Sequence, residues 1–256
     1  LGFDSDPAKR NVAGLLEEHP DALRDGIALR KFGQSLIERL AQQRVHPSWT
    51  VPGGVNTPLD KDARRDILNE LPSAKATLHE ALKLFKSVAG NFEEEIANFG
   101  SAPTMYAGLT DEKGNLRLYD GQLRFRDSEG NMVAEVPKAL DYQSYIGEAV
   151  LPHSYLKAPY FKPQGYPQGV YRVGPLARLN VADQCGTPEA DEELGQFRQR
   201  FGRVPHSAFL YHMARLIEAL YASERLEALL NDPEILSPHV RAFAGVNAEE
   251  GVGIVE

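Results

Sequence analysis

Cysteine is almost missing from this chain, which has a single one, Cys185, in 256 residues. One thiol closes no intrachain disulfide, so folding in a reducing compartment, the cytoplasm, is the expectation. It also excludes any site in this chain built from several thiolates. Long apolar runs are absent: none approaches the ~20 residues needed to cross a bilayer. No basic segment followed by an apolar one reads as a leader near Leu1. Positive charge is in deficit, 28 Lys and Arg against 36 Asp and Glu, net −8. That balance argues against a general nucleic-acid binder, whose affinity rests on cationic contacts to phosphate.

Common catalytic signatures are absent too. There is no Gly-x-Ser-x-Gly nucleophile turn and no phosphate-cradling Gly-x-x-x-x-Gly-Lys loop. Gly251-Val252-Gly253 lacks the third glycine of a dinucleotide fingerprint. No two histidines form a His-x-x-x-His pair, and His206 and His212 fall off one helical face. Cys185, between Asp183-Gln184 and Gly186, has no motif around it and reads as an inert thiol. The acidic runs Glu93-Glu94-Glu95 and Glu189 to Glu193 read as solvated helix faces. No residue is assigned a catalytic or metal-ligating role.

What is present describes a mainly α fold: a multi-helix body with a small antiparallel β insert at about 101–137. Asp6-Pro7 starts a helix to about Glu18, and Asp21 to Arg44 reads as a long helix with Leu23, Ile27, Phe32, Leu36, Ile37 and Leu40 on one face. Pro47, Pro52, Gly53 and Gly54 then forbid helix. A short helix is predicted over Lys61 to Leu71. A longer one starts at Ser73, carries Leu78, Leu82, Phe85, Phe92 and Ile96 inward, and is weakened at Gly90.

Met105 to Leu109, Leu116 to Leu118, Leu123 to Arg126 and Met132 to Val136 read as strands. Two similar segments separate them, Asp111-Glu112-Lys113-Gly114-Asn115 and Asp127-Ser128-Glu129-Gly130-Asn131. They lack the alternating acidic ligands of a calcium loop and read as hairpin turns. Ala139 to Ala149 reads as a short helix, and Tyr155 to Tyr171 as an aromatic loop. Helices follow from Thr187-Pro188 to about Phe201 and from Ser207 to Leu230. Phe209, Leu210, Met213, Leu216, Ile217, Leu220 and Leu230 mark the buried face of the second. One more turn is capped by Asp232-Pro233. No internal repeat suggests a solenoid.

Several segments, taken in order, carry a family resemblance. They are Asp6-Pro7-Ala8-Lys9-Arg10-Asn11-Val12, Leu29 to Gln34, His46-Pro47, Val51-Pro52-Gly53-Gly54-Val55, Tyr171 to Asn180, and Gly251 to Glu256. In this order and spacing the chain resembles the large subunit of nickel-iron hydrogenases, most closely the cytoplasmic, coenzyme-reducing (NAD-reducing-like) group. The resemblance implies reversible oxidation of dihydrogen at a nickel-iron centre that carries cyanide and carbon monoxide. It implies an iron-sulfur small subunit and a coenzyme-reducing module as partners, with no membrane or nucleic acid. Family members hold the metals on two Cys-x-x-Cys pairs, which this chain lacks. We therefore expect an internal piece that is inactive scaffold, binds no cofactor alone and self-associates through uncovered apolar surface.

By the same resemblance His46 lies near the small subunit and its proximal cluster, or else merely starts a turn; both readings stand. Gly53 and Gly54 permit a close backbone approach. Arg178 either pairs with a buried carboxylate as a structural ion pair or acts directly in catalysis, and Glu256 orients a metal-proximal loop that would come after it. Two other readings remain open: a cysteine-less relative in a respiratory quinone-reducing complex, and a non-catalytic interaction protein.

Overall fold

The structure, a computed structural model, describes residues 6–245 and 250–255. Two compact units divide the chain, one of Leu1–Leu84 with Ser223–Asn247 and one of Phe85–Ala222 with Ala248–Glu256. Among the described residues no helix is long and apolar enough to cross a membrane.

The first unit is helical. Asp6 caps a 3-10 turn, Pro7–Lys9, by accepting from the Ala8 amide at 2.9 Å. α1 (Val12–Glu18) then starts anew, because the Asn11 side chain accepts from Ala13 and Gly14. The expected single helix over 6–18 is therefore two pieces. α2 (Pro20–Ala41) ends at Gln42, which takes a left-handed backbone. Its apolar stripe is only half-covered: no residue of α2 is buried, and Ile27 is 61% exposed. β1 (Thr50–Val51) and β2 (Gly54–Val55) form a tight hairpin.

α3 (Lys61–Ala89) is one helix where the sequence predicted two. Pro72 lies inside it, and Ile67, Leu71, Ala74, Leu78 and Leu82 are all buried. A continuous apolar face offsets the ~3 kcal/mol that proline costs inside a helix, so the helix runs through. Gly90 does not bend a longer helix; it ends this one, and Phe92, expected inward, is 41% exposed ahead of α4 (Glu93–Asn98).

The second unit is built on a sheet of order β5-β4-β3-β8, formed by β3 (Met105–Thr110), β4 (Gln122–Arg126), β5 (Met132–Val136) and β8 (Tyr171–Arg172). β3–β4 and β4–β5 are antiparallel, but β8 adds to β3 in parallel. The sheet is therefore mixed and reaches beyond the expected insert at 101–137. Alternation sorts its two faces. Met105, Ala107, Leu109, Leu123, Phe125 and Val136 form one core with Phe161. Tyr106 points the other way, against Ala177 and Val181 of α6 (Pro175–Val181). Leu116 is buried but makes only an isolated bridge with Thr110 rather than the expected strand.

Residues 139–149, predicted helical, hold a 3-10 turn, the single turn α5 (Tyr142–Tyr145) and then β6 (Ile146–Ala149), which pairs with β7 (Ala158–Phe161). The pairing of Ile146 with Phe161 places both residues on the sheet core, a tertiary gain that a short helix would forfeit. α7 (Pro188–Phe201) and α8 (Tyr211–Asn231) appear close to where the sequence put them. Met213, Ile217, Leu220 and Leu230 of α8 are buried, as is Leu210 just before it.

Candidate functional site

Arg178 lies on α6, which packs flat on β3. Its Nε donates to Glu218 Oε1 at 2.5 Å and its Nη2 to Oε2 at 2.8 Å, a two-pronged pair with side chains 14% and 9% exposed. Glu218 is on α8 and is 7% exposed as a residue. Removing one member would leave an uncompensated buried charge, which costs about 3–5 kcal/mol. Beside this pair Arg178 lines a groove of about 450 Å3 with Leu109, Leu118, Tyr119, Gly253 and Val255. Ile254 meanwhile packs on the sheet core.

A cluster of guanidinium groups holds α6 from its other end. Arg198 donates to the carbonyls of Leu179, Ala182 and Asp183, and Arg203 to those of Asn180 and Ala182. Arg126 donates to the Val181 carbonyl at 2.9 Å. Cations at a helix C-terminus satisfy its orphan carbonyls and complement its dipole. Asp183 ties the cluster together by accepting from Arg124 at 3.0 Å and Arg126 at 2.5 Å, while Arg124 also pairs with Glu135 across the β4–β5 register. Burial and the neighbouring Arg203 charge lower Arg198 to about 10, so it stays cationic at neutral pH. The sequence placed Arg124 and Arg126 in a strand but carried no sign that they are buried. Asp183, Arg198, Arg203 and Glu218 were not singled out at all.

The other residues read from the sequence lie elsewhere. His46 is exposed with φ +50° in the turn between α2 and β1. Gly53 and Gly54 sit at the tip of the β1–β2 hairpin, where residues 240–242 run alongside. The Ala242 amide donates to the Gly53 carbonyl and the Val55 amide to the Val240 carbonyl. A Cβ on Gly53 would stand 2.1 Å from the Ala242 oxygen, and one on Gly54 2.1 Å from that of Val240. Only glycine allows that approach. His46, Gly53 and Gly54 belong to the first unit and Arg178 to the second. Glu256 lies outside the described residues.

The chain's residues do not fit a nickel-iron centre. Such a centre needs several soft thiolates. The one thiol here belongs to Cys185, 1% exposed, whose amide donates to Asp191 at 2.6 Å ahead of α7. Among the described residues no three of His, Cys, Asp and Glu gather at one point.

Known hydrogenases resemble the chain in both sequence and fold. The chain is 40% identical, over its whole length, to a subunit of the F420-non-reducing hydrogenase vhu of Methanococcus voltae, covering 60% of that protein. It is 36% identical over its whole length to the beta subunit of the NAD-reducing hydrogenase HoxS of Cupriavidus necator, covering 54% of it. Its fold matches the crystal structure of an NAD+-reducing nickel-iron hydrogenase in the H2-reduced state with a TM-score of 0.90 and 38% identity. That match covers 95% of this chain and 54% of the other. The chain is thus homologous to hydrogenase subunits and has the fold of nickel-iron hydrogenase large subunits. A nickel-iron-selenium hydrogenase from Desulfovibrio vulgaris shares the fold at 16% identity, with a TM-score of 0.68. No family model matches the chain. The chain spans a little over half the length of the relatives it matches.

Proposed function

We propose that the protein represented by this chain is a nickel-iron hydrogenase that oxidises dihydrogen reversibly and passes electrons to iron-sulfur clusters in a small subunit and on to a coenzyme-reducing module, in the cytoplasm. The observation that carries this is agreement in sequence and fold along nearly the whole chain with an NAD+-reducing enzyme. The metals, with their cyanide and carbon monoxide, would supply the chemistry of hydrogen splitting from residues not in this chain. Its own residues serve as framework. Arg178 and Glu218 fix α6 to α8 beside the 253–255 segment, and the arginines around Asp183 hold the end of α6. Glu256, next along the chain, would orient the metal-proximal loop. At the other site, His46 and the Gly53-Gly54 hairpin present a surface to the small subunit, where an exposed imidazole N–H could tune a nearby cluster.

Metal analysis tests the division of labour. The purified 256-residue chain should retain no nickel, and the full gene product assembled with its partner subunits should reduce NAD+ or a dye with dihydrogen. Stoichiometric nickel on the short chain, or no hydrogen-dependent reduction by a metal-loaded full assembly, would overturn the reading. The apolar side chains left open on α1 and α2, Val12, Leu16, Ile27 and Ile37, further lead us to expect self-association of the isolated chain. A single monomeric mass across a concentration series in light scattering would refute that.

A further inference from the structure

A second groove, of about 440 Å3, lies between α4 and residues 200–210 of the second unit. Its walls are mostly apolar: Ile96, Ala97, Phe201, Val204 and Leu210. The His206 imidazole and the side chains of Ser101 and Ser207 interrupt them. Pockets of this make, an apolar lining with a few fixed polar groups, are what small organic ligands occupy.

His206 is held from behind in two ways. Arg172 donates to its carbonyl at 2.5 Å and to the carbonyls of Gly100 and Ala102, both at 3.1 Å, which fixes the backbone around it. Tyr106, with no exposed surface, sets its hydroxyl 2.6 Å from His206 Nδ1 and stacks its ring parallel to the imidazole. The hydroxyl's other neighbour, the Pro205 carbonyl, is 3.4 Å away and already accepts from Asn180 at 3.0 Å. Tyr106 keeps its proton at any ordinary pH, since burial pushes it up to about 12. That proton goes to the nearer acceptor, Nδ1, which leaves the hydrogen of a neutral imidazole on Nε2, the ring nitrogen that Tyr106 does not engage. Burial and the Arg172 charge lower the His206 pKa, which keeps the ring neutral.

The rim has a sign. Glu93, the one acid that lines the groove, is paired with Arg200 at 3.0 Å. The Arg172 guanidinium adds positive potential close to His206. A cation gains nothing there, whereas an anion meets a preset N–H donor and a positive field.

We propose that this groove binds a small carboxylate on an apolar body, with the His206 Nε2–H donating to the carboxylate and Tyr106 acting as the positioning residue that fixes the tautomer. The site is independent of the hydrogenase assignment and stands or falls separately from it.

Histidine-selective NMR of the purified chain, titrated with sodium benzoate, tests the proposal. His206 should report the Nε2–H tautomer in its nitrogen shifts. Its resonances should move saturably with about millimolar affinity, the range for so small a ligand. Benzylamine, of the same shape and opposite charge, should leave them in place. Ala97→Trp fills the groove from an exposed position that the fold does not need, and should abolish the response. Tyr106→Phe keeps the stacked ring, and should mix the two tautomers and weaken benzoate several-fold. No saturable shift, an equal response to benzylamine, or an unchanged response in Ala97→Trp would each overturn the proposal.

Discussion

The two turns of the sheet carry nearly the same sequence pattern and do different jobs. In Asp111 to Asn115 the Asp111 Oδ1 accepts from the amides of Lys113 and Asn115, both at 2.9 Å, and Oδ2 accepts from the Asn115 side chain at 2.8 Å. Asp127 repeats this with Glu129 and Asn131 at 2.9, 2.8 and 3.0 Å. Gly114 and Gly130 both take positive φ, +79° and +89°. Beyond the loop the likeness ends. The Asp183 amide donates to the Gly114 carbonyl, the Leu116 amide to the Gln184 carbonyl, and Gln184 Nε2 to the Asn115 side chain. Arg117 also donates to Asp111 at 3.0 Å. The second turn has Arg126 on the Gly130 carbonyl at 2.8 Å, and its Asn131 is exposed. An aspartate, a glycine and an asparagine are enough to write the loop, but only the rest of the chain decides what hangs on it. The first turn braces Asp183, which braces Arg124 and Arg126, which with their neighbours hold α6 and so Arg178.

The largest expected difference comes from the glycines. A Cβ on Gly114 would stand 2.1 Å from Asp183 Oδ2 and 3.0 Å from its Cβ, and Asp183 cannot yield without loosening two arginines. Gly114→Ala should cost about 3 kcal/mol, from left-handed backbone strain plus the displaced carboxylate. Gly130→Ala meets a Val204 methyl at 2.6 Å, at the end of a side chain that can turn aside, and should cost about 1–2 kcal/mol. Urea unfolding of the two variants measures both. Equal losses would mean that the Asp183 brace carries no weight.

Next come the aspartates. Asp111→Asn puts an amide group where Oδ2 now receives Asn115 and Arg117, so two donors face a third. A loss of about 2 kcal/mol is expected. Asp127→Asn, lacking an arginine partner, should lose about 1 kcal/mol. If Asp127→Asn proves as costly, the arginine contact is idle and the local loop accounts for everything.

Legibility follows the same line. Both turns, β3, β4 and β5, and α7 and α8 were readable because their signals are local: Asp and Gly-Asn at fixed offsets, alternation, a Thr-Pro start. The break predicted between Leu71 and Ser73 failed because a start signal at Ser73 is a local argument, while the apolar face that carries α3 through Pro72 is not. Residues 146–149 were misread for the reverse reason. Their strand exists through pairing with residues 158–161, which their own sequence does not announce. β8 is two residues long and pairs in parallel with a strand far earlier in the chain, a kind of contact that periodicity misses. At the candidate site the segments that carried the family resemblance were visible, but the partners that give them physical meaning, Glu218 for Arg178 and residues 240–242 for Gly53 and Gly54, are visible only in three dimensions.

The finest test of the two turns is acid. Burial opposes ionisation of both aspartates. It is outweighed at Asp111 by hydrogen bonds from Asn115 and Lys113 and by the Arg117 charge, and at Asp127 by hydrogen bonds from Asn131, Glu129 and Gly130. Both carboxyl groups therefore titrate below the 3.8 they have unfolded. A folded pKa below the unfolded one gives stability that is fully present above the unfolded value and is lost as pH falls through the folded one. The urea midpoint should thus hold steady down to about pH 5 and then fall more steeply than in either Asn variant. Asp111→Asn should flatten that acid limb more than Asp127→Asn, because only Asp111 loses a cationic partner when it protonates. Identical flattening would place the pH sensitivity in the loop geometry the turns share and leave no part of it for Arg117.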